Sequence, residues 1–265
     1  MPPLHFSGDD TVARGVRERR FDVEHEDGVV PGLLWSPPEA AGPRPLVLIG
    51  HGASGSKQED YVVALGRRLA RHHGYAAAAI DGPVHGDRRP ERNRPGSPFL
   101  DFGQRWANDD TLTDAVVSDW RATLDALQSQ PDIADAGVGY WGLSMGTILG
   151  LPLVAAESRI VVAVLGLMGL SGPTKARLAA DAATLSCPVL FLLQWHDELF
   201  PVATVLELFD ALGTPDKRLH AHPGAHGAVP AEEFEASEAF LARHLGPAGA
   251  TPPVSPRRVP PGPPG

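Results

Sequence analysis

Short apolar runs alternate with longer amphipathic segments along most of this chain. Runs such as 160–165, Ile-Val-Val-Ala-Val-Leu, have no polar position, which is typical of strands buried on both faces. The alternation predicts an early hairpin at 17–37, strands at 44–50, 75–81, 136–143, 160–168, 187–194 and 217–222, and helices at 58–73, 110–129, 145–157, 174–184, 201–212 and 231–244. Strands that alternate with helices indicate a mainly parallel central sheet with helices on both faces.

The end of the chain departs from this pattern. Residues 249–265 are rich in proline and poor in core-forming side chains, so we expect a disordered tail there. A proline-rich ligand for an SH3-like partner is the alternative interpretation of the tail. The remaining residues, 1–248, have enough apolar content for one large domain, and nothing in the sequence indicates two.

Charge and composition narrow the classes of partner. The formal net charge of -9, without a basic stripe, argues against a nucleic-acid partner. The first ten residues lack the features of a secretory signal, and charged residues interrupt the longest apolar region, 145–170. We therefore expect no membrane span and a cytoplasmic location, while the oligomeric state stays open.

Cysteine and histidine usage gives no sign of a metal or cofactor. Cys187 is the single cysteine, which excludes an intrachain disulfide and predicts a small buried hydrophobic side chain rather than a reactive thiol. The eleven histidines are scattered without the spacing of a zinc motif. We therefore expect an enzyme without metal or cofactor.

The most informative segment is Gly142-Leu143-Ser144-Met145-Gly146, which follows an apolar strand and opens an apolar helix. A serine at a sharp strand-to-helix turn projects its hydroxyl clear of the sheet, and the flanking glycines relieve the crowding of that turn. The amide of Met145 is then free to bind an oxyanion. The pattern alone is weak evidence, so the decision depends on an acid and a histidine further along the chain.

Two neighbouring acidic residues follow the strand at 187–194. Asp197 comes at the carboxyl end of that strand, just before Pro201 begins a helix, and ligands bind at such strand ends in α/β sheets. Glu198 is a rival, but the shorter side chain of Asp197 leaves the strand end first. A helix N-cap is the alternative role for Asp197.

The candidate base lies in the glycine-bracketed loop that follows the strand at 217–222. His226 in this loop can reach over the sheet edge to the serine. His220 and His222 are rivals, although side chains of a strand alternate in direction and would be poorly placed. A solvent-exposed loop histidine is the alternative interpretation of His226.

A second oxyanion donor is expected after an earlier strand. The strand at 44–50 runs into His51-Gly52-Ala53-Ser54-Gly55, where a glycine permits the backbone twist that aims the Ala53 amide into a site. We interpret His51 itself as a side chain that stabilises the turn and has no chemical part.

The segments HGASG, GLSMG, WHDELFP and PGAHG, in this order, resemble an α/β-hydrolase of the dienelactone-hydrolase-like or small serine esterase type over residues 20–246. The resemblance implies an α/β-hydrolase fold without a large cap domain. It also implies Ser144 as nucleophile, His226 as general base and acid, Asp197 as orienting acid, and an oxyanion hole from the amides of Ala53 and Met145. Dienelactone hydrolases proper use a cysteine nucleophile, so their substrate does not carry over.

Substrate selection is expected in the long segment 82–109, which shows no obvious secondary structure. It offers an apolar wall of Phe99, Leu100, Phe102 and Trp106 and a set of arginines, Arg88, Arg89, Arg92 and Arg94. Surface ion pairs with Asp87, Glu91 and Asp101 are the favoured role for these arginines, and binding of a substrate carboxylate is the alternative. His85 is expected to order this segment rather than react.

These features predict a cofactor-independent serine hydrolase that cleaves carboxylic esters of small-to-medium acyl groups through an acyl-enzyme. A thioesterase, an acyltransferase or a C–C bond hydrolase would use the same residues. A non-catalytic binding protein with a hydrolase fold is a further alternative.

Overall fold

The structure, a computed structural model, describes residues 2–25, 28–39, 42–89 and 97–248. Within these ranges nine strands form one sheet: β1 (Leu4–Ala13), β2 (Val16–His25), β3 (Gly28–Ser36), β4 (Leu46–Gly50), β5 (Ala76–Ile80), β6 (Val138–Gly142), β7 (Ile160–Gly166), β8 (Val189–Gln194) and β9 (Lys217–His222). The helices are α1 (Asp60–His73), α2 (Pro98–Asn108), α3 (Leu112–Gln128), α4 (Met145–Ala156), α5 (Lys175–Thr184), α6 (Val202–Ala211) and α7 (Ala231–Leu245).

The strand order is β1-β2-β3-β5-β4-β6-β7-β8-β9. The six strands from β4 to β9 are parallel to one another, while β1, β2 and β3 pair antiparallel at one edge. The prediction of a mainly parallel sheet with helices on both faces is confirmed, and the arrangement is the α/β-hydrolase fold. The described residues include no large cap domain.

Two parts of the chain differ from the predicted elements. The predicted hairpin at 17–37 exists as β2 and β3, but β1 precedes it as a third strand that the pattern did not indicate. Nine of the ten residues of β1 are exposed, so the strand lacks the apolar face that would have marked it. The prediction that 82–109 lacks secondary structure is wrong, because it contains a short 3-10 helix at Gly86–Arg88 and the helix α2.

Side chains of the parallel strands pack in opposite directions into two separate apolar clusters. Leu46 and Leu48 of β4 enter the cluster under α3 to α6, whereas Val47 and Ile49 enter the cluster under α1 and α7. This alternation is the period-two geometry of a strand, and it explains why these strands contain no polar position. The two helical layers therefore hold the sheet rigidly from both sides.

The carboxyl ends of β4, β6, β8 and β9 lie along one edge of the sheet, and the loops that follow them carry the candidate site residues. Gly50 of β4 pairs in register with Gly142 of β6, so the turns after these two strands are neighbours. No helix within the described residues is long and apolar enough to cross a membrane.

Candidate active site

Ser144 occupies the sharp turn between β6 and α4. Its backbone has φ 58° and ψ -119°, a conformation that non-glycine residues rarely adopt, and its amide donates to the carbonyl of Gly166 at 3.0 Å. At Gly146 a Cβ atom would lie 2.9 Å from the Gly50 carbonyl oxygen. Glycine at that position therefore allows α4 to begin against the end of β4, which brings the serine next to the turn at 51–55.

The structure brings Ser144, Asp197 and His226 into one line of hydrogen bonds. Nε2 of His226 lies 2.9 Å from Oγ of Ser144, and Nδ1 lies 2.8 Å from Oδ2 of Asp197. Oδ1 of Asp197 accepts the amides of Leu199 and Phe200 at 2.8 and 3.0 Å. Since the Asp197 side chain is 1% exposed and held at both oxygens, it keeps the imidazole in a fixed orientation.

Asp197 also has part of the capping role that was the alternative interpretation of this residue. Its Oδ1 caps the turn at 199–200, but α6 begins at Val202 and Pro201 is the residue that precedes it. The same carboxylate therefore stabilises its own loop with one oxygen and orients His226 with the other.

The rival residues have other partners. Glu198 is exposed, and its Oε2 accepts a hydrogen bond from the backbone amide of His226 at 2.9 Å, not from the imidazole ring. His220 and His222 lie on the same face of β9, and both point to the buried Glu233, at 3.0 and 2.9 Å. Neither histidine contacts Ser144.

The turn after β4 directs the Ala53 amide. The carbonyl of Gly52 accepts from Nδ1 of His51 at 2.8 Å and from the amide of Gly55 at 3.2 Å. The C=O and N–H of a trans peptide point in opposite directions, so the Ala53 N–H points away from these two donors. Neither this amide nor that of Met145, at the start of α4, donates to an acceptor within the described residues.

Two buried histidines connect this turn to the segment after β5. The amide of Gly82 donates to Nε2 of His51 at 2.9 Å, so the ring proton is on Nδ1, which donates to Gly52. Nε2 of His85 lies 2.9 Å from the carbonyl oxygen of Ala53. Burial lowers the pKa of His51 to about 4, so this ring stays neutral near pH 7. His51 therefore stabilises the turn, as predicted, and His85, predicted to order the segment 82–109, connects that segment to the turn.

Two contacts of this region were not predicted. The amide of Gly52 donates to the hydroxyl of Tyr61 on α1 at 2.6 Å. Lys57, 1% exposed, binds the carboxylates of Asp81 and Asp87, and Oδ1 of Asp81 accepts the Lys57 amide at 3.0 Å. Gly52 and Tyr61 are 9 residues apart and Lys57 and Asp81 are 24 apart, and no spacing rule connects either pair, so only the folded chain could reveal the contacts.

The predicted wall and arginines of 82–109 have defined positions where the structure describes them. Arg88 binds Asp119 and Arg89 binds Asp101, so both described arginines are paired with carboxylates. Arg92, Arg94 and Glu91 lie outside the described residues. Phe102 is buried and stacks on Trp106 with ring centroids 5.9 Å apart, while Phe99 and Leu100 are exposed.

No three His, Cys, Asp or Glu side chains converge as metal ligands anywhere in the described ranges. Cys187 lies partly buried just before β8, and burial raises the pKa of its thiol to about 12. A thiol with such a pKa is protonated near pH 7 and is a poor nucleophile.

Comparisons with known proteins show which family and which structures this chain is similar to. The family model "Dienelactone hydrolase family" matches residues 30–243. Among curated proteins, none matches the sequence.

Among solved structures, a cold-adapted esterase from an Arctic intertidal metagenomic library is 39% identical, with a TM-score of 0.78 over 89% of this chain and 99% of that chain. An acetyl xylan esterase from Paenibacillus sp. R4 is 18% identical, with a TM-score of 0.71 over 91% of this chain and 88% of that one. An esterase from Pyrococcus furiosus is 16% identical, with a TM-score of 0.66 over 85% and 92%. The last two show similarity of fold alone.

Proposed function

Because this chain belongs to the dienelactone hydrolase family and has the α/β-hydrolase fold, we propose that it is a serine esterase that cleaves carboxylic esters of small-to-medium acyl groups. The observation that carries the proposal is the line of hydrogen bonds from Ser144 through His226 to Asp197, with distances of 2.9 and 2.8 Å. Such a line is what activation of a serine hydroxyl requires. The 39% identical esterase supports the same class of reaction.

In the proposed reaction, Oγ of Ser144 attacks the ester carbonyl while its proton passes to Nε2 of His226. The carbonyl oxygen becomes an oxyanion that accepts hydrogen bonds from the amides of Ala53 and Met145. The tetrahedral intermediate collapses, His226 gives its proton to the leaving alcohol, and an acyl-enzyme remains. Water, deprotonated by His226, then attacks the acyl carbonyl and releases the acid and the free serine.

The electrostatics of the site support this sequence of steps. Asp197 is held as an acceptor by two amides, so its second oxygen stabilises the imidazolium that forms when His226 takes the proton. Met145 is the first residue of α4, and the positive end of a helix dipole favours the negative charge on the oxyanion.

The proposal is limited to small-to-medium acyl groups because the described residues include only the short helix α2, and no large cap domain, to enclose an acyl chain. Phe102 and Trp106 of α2 are available as an apolar wall. The described arginines are already paired with carboxylates, so a carboxylate-bearing substrate has less support from them.

Hydrolysis of a p-nitrophenyl ester series from acetate to octanoate tests the proposal, with wild type and Ser144→Ala assayed side by side. We expect turnover that depends on acyl length in the wild type and a loss of about 10³-fold or more in the variant, because the nucleophile is absent. Wild-type turnover no higher than that of Ser144→Ala would contradict an ester-cleaving role.

The same assay separates related chemistries. A thioester substrate and an added alcohol acceptor are supplied in parallel with the esters. Dominant acyl transfer to the alcohol, or a strong preference for the thioester, would replace plain ester hydrolysis by an acyltransferase or a thioesterase.

A further inference from the structure

Glu198 directly follows Asp197, the candidate orienting acid. Its carboxylate accepts the backbone amide of His226, whereas that of Asp197 contacts the imidazole ring. We propose that Glu198 is a positioning residue for the esterase reaction: it fixes the backbone of His226 and supplies a negative charge that favours the imidazolium formed during catalysis. This inference rests on the proposed function, since it assigns His226 the role of general base.

Two adjacent carboxylates hold His226 at two different points. Asp197 contacts the ring at Nδ1, 2.8 Å away, and Glu198 Oε2 accepts the backbone amide at 2.9 Å. The ring contact sets the rotation of the imidazole, whereas the amide contact sets the place of the backbone from which the ring extends. Both are needed for Nε2 to stay 2.9 Å from Oγ of Ser144.

The loop at 223–230 needs such an anchor because it has no strand or helix of its own. Its first part is tied to the 194–198 segment by two bonds: the His196 amide donates to the Gly224 carbonyl at 3.0 Å, and the Gly224 amide donates to Oε1 of Gln194 at 3.2 Å. Past Gly224, the hydrogen bond that the His226 amide donates to Glu198 is the last one between the loop backbone and the 194–198 segment within the described residues. Glu198 therefore restrains the loop at the residue that matters for catalysis.

Glu198 is ionised under ordinary assay conditions. The hydrogen bond from the His226 amide, then a bond from its own amide and the charge of His226, hold the pKa of this exposed carboxyl below its ordinary value. A hydrogen bond to an ionised acceptor is roughly twice as strong as a neutral one.

Few other titratable groups bear on this pair. Ser144 and Asp197 contact His226 directly, and the ring of Phe200 lies 5.7 Å from the imidazole. On the neighbouring elements, His220 and His222 of β9 point to Glu233 of α7. A change at Glu198 thus alters one charge beside His226 and leaves the Asp197 contact intact.

Glu198→Gln and Glu198→Ala separate the two parts of the role. Glutamine keeps an oxygen that accepts the His226 amide but removes the charge, whereas alanine removes both. Glu232→Gln is the matched control, because Glu232 is an exposed carboxylate at the start of α7. The assays are kcat and KM on the best p-nitrophenyl ester, and the rate of inactivation by a p-nitrophenyl phosphonate, which reacts with an activated serine.

We expect kcat to fall by about threefold to tenfold in Glu198→Gln and by about tenfold to 100-fold in Glu198→Ala, with KM nearly unchanged. The phosphonate reaction should slow in the same order. The smaller loss for glutamine would show that the acceptor for the His226 amide carries most of the effect. Glu232→Gln should match the wild type in every assay.

The proposal is overturned if both Glu198 variants match Glu232→Gln in kcat and in the phosphonate reaction while the wild type is active. It is also overturned if kcat falls equally for glutamine and alanine, or if KM rises while kcat is unchanged, which would indicate a purely structural role. Failure of the esterase proposal is recognised separately, as absence of wild-type turnover and of phosphonate reaction above Ser144→Ala.

Discussion

At the scale of single residues, neighbours in sequence have divided roles. Asp197 and Glu198 carry the same functional group, but Asp197 points to the imidazole ring and Glu198 accepts a backbone amide. The preference for Asp197 at the sequence level rested on its shorter reach from the strand end. In the structure, the carboxylate of Asp197 reaches the imidazole ring of His226. The partner of Glu198 is instead set by the position of the loop at 223–230.

The buried ion pair between Lys57 and Asp81 allows a prediction about stability. The two side chains are 1% and 0% exposed, and Lys57 also binds Asp87. Lys57→Met leaves a buried carboxylate without its cation, so we expect the free energy of unfolding to fall by about 3 kcal/mol or more. Urea denaturation at pH 7 measures the change.

Arg67→Met provides the comparison for that prediction. Arg67 pairs with Glu18 at the surface with 47% of its side chain exposed, and such pairs contribute about 0–1 kcal/mol. Equal losses of stability in the two variants would contradict the importance of burial at Lys57.

At the scale of elements, α2 is the helix that the hydrophobic pattern of the sequence did not predict. Its sequence, PFLDFGQRWAN, follows a stretch rich in proline and arginine, and its helical period covers only three turns. Phe102 is the single buried residue of α2, so the apolar stripe that normally identifies a helix is narrow. The contacts that hold α2 are tertiary: Nε1 of Trp106 donates to Oγ1 of Thr174 at 3.0 Å.

This attachment predicts a change of acyl selectivity in Trp106→Ala. Removal of the indole takes away the stacking partner of Phe102 and the bond to Thr174, so the wall that α2 offers to the acyl group should widen and loosen. We expect kcat/KM for octanoate relative to acetate to change by about tenfold, the effect of a few methylene contacts. The p-nitrophenyl ester series gives the ratio.

Gln104→Ala is the control on the same helix. Gln104 is exposed and is not part of the apolar wall, so its replacement should leave the ratio of octanoate to acetate unchanged. Identical ratios in wild type and Trp106→Ala would show that α2 does not line the acyl site.

At the scale of the whole molecule, buried neutral histidines connect pH to stability. Burial lowers the pKa of His51 to about 4, and burial likewise lowers the pKa of His85 and of His244. A histidine in the unfolded chain has a pKa of about 6.5, so between about pH 6.5 and 4 the unfolded state binds more protons than the folded state. Stability is therefore greatest above about pH 6.5 and falls as the pH decreases through this window.

Urea unfolding at several pH values between about 7.5 and 5 measures this dependence. We expect the free energy of unfolding to decrease by a few kcal/mol over the range, a loss to which the fully buried His51 contributes most. His51→Gln should reduce the slope, whereas replacement of the exposed His5 should not. A free energy of unfolding that is constant from pH 7.5 to 5 would contradict the prediction.

The sequence by itself determined the parts of this protein that depend on local periodicity. Apolar runs without polar positions can be stable only as strands covered on both faces, so the six parallel strands and their helices follow from the pattern of the chain. The order of Ser144, Asp197 and His226 at strand ends follows for the same reason, since parallel strands deliver their carboxyl ends to one edge.

Only the tertiary structure decided the contacts between segments that lie far apart in the chain. The exposed strand β1, the attachment of α2, the burial of Lys57 against Asp81 and the bond of Glu198 to the His226 amide have no periodic signature. Each depends on where two loops or elements meet in the folded chain. Polar contacts of this kind are directional and short-ranged, so they are specified by the geometry of the folded chain rather than by spacing along it.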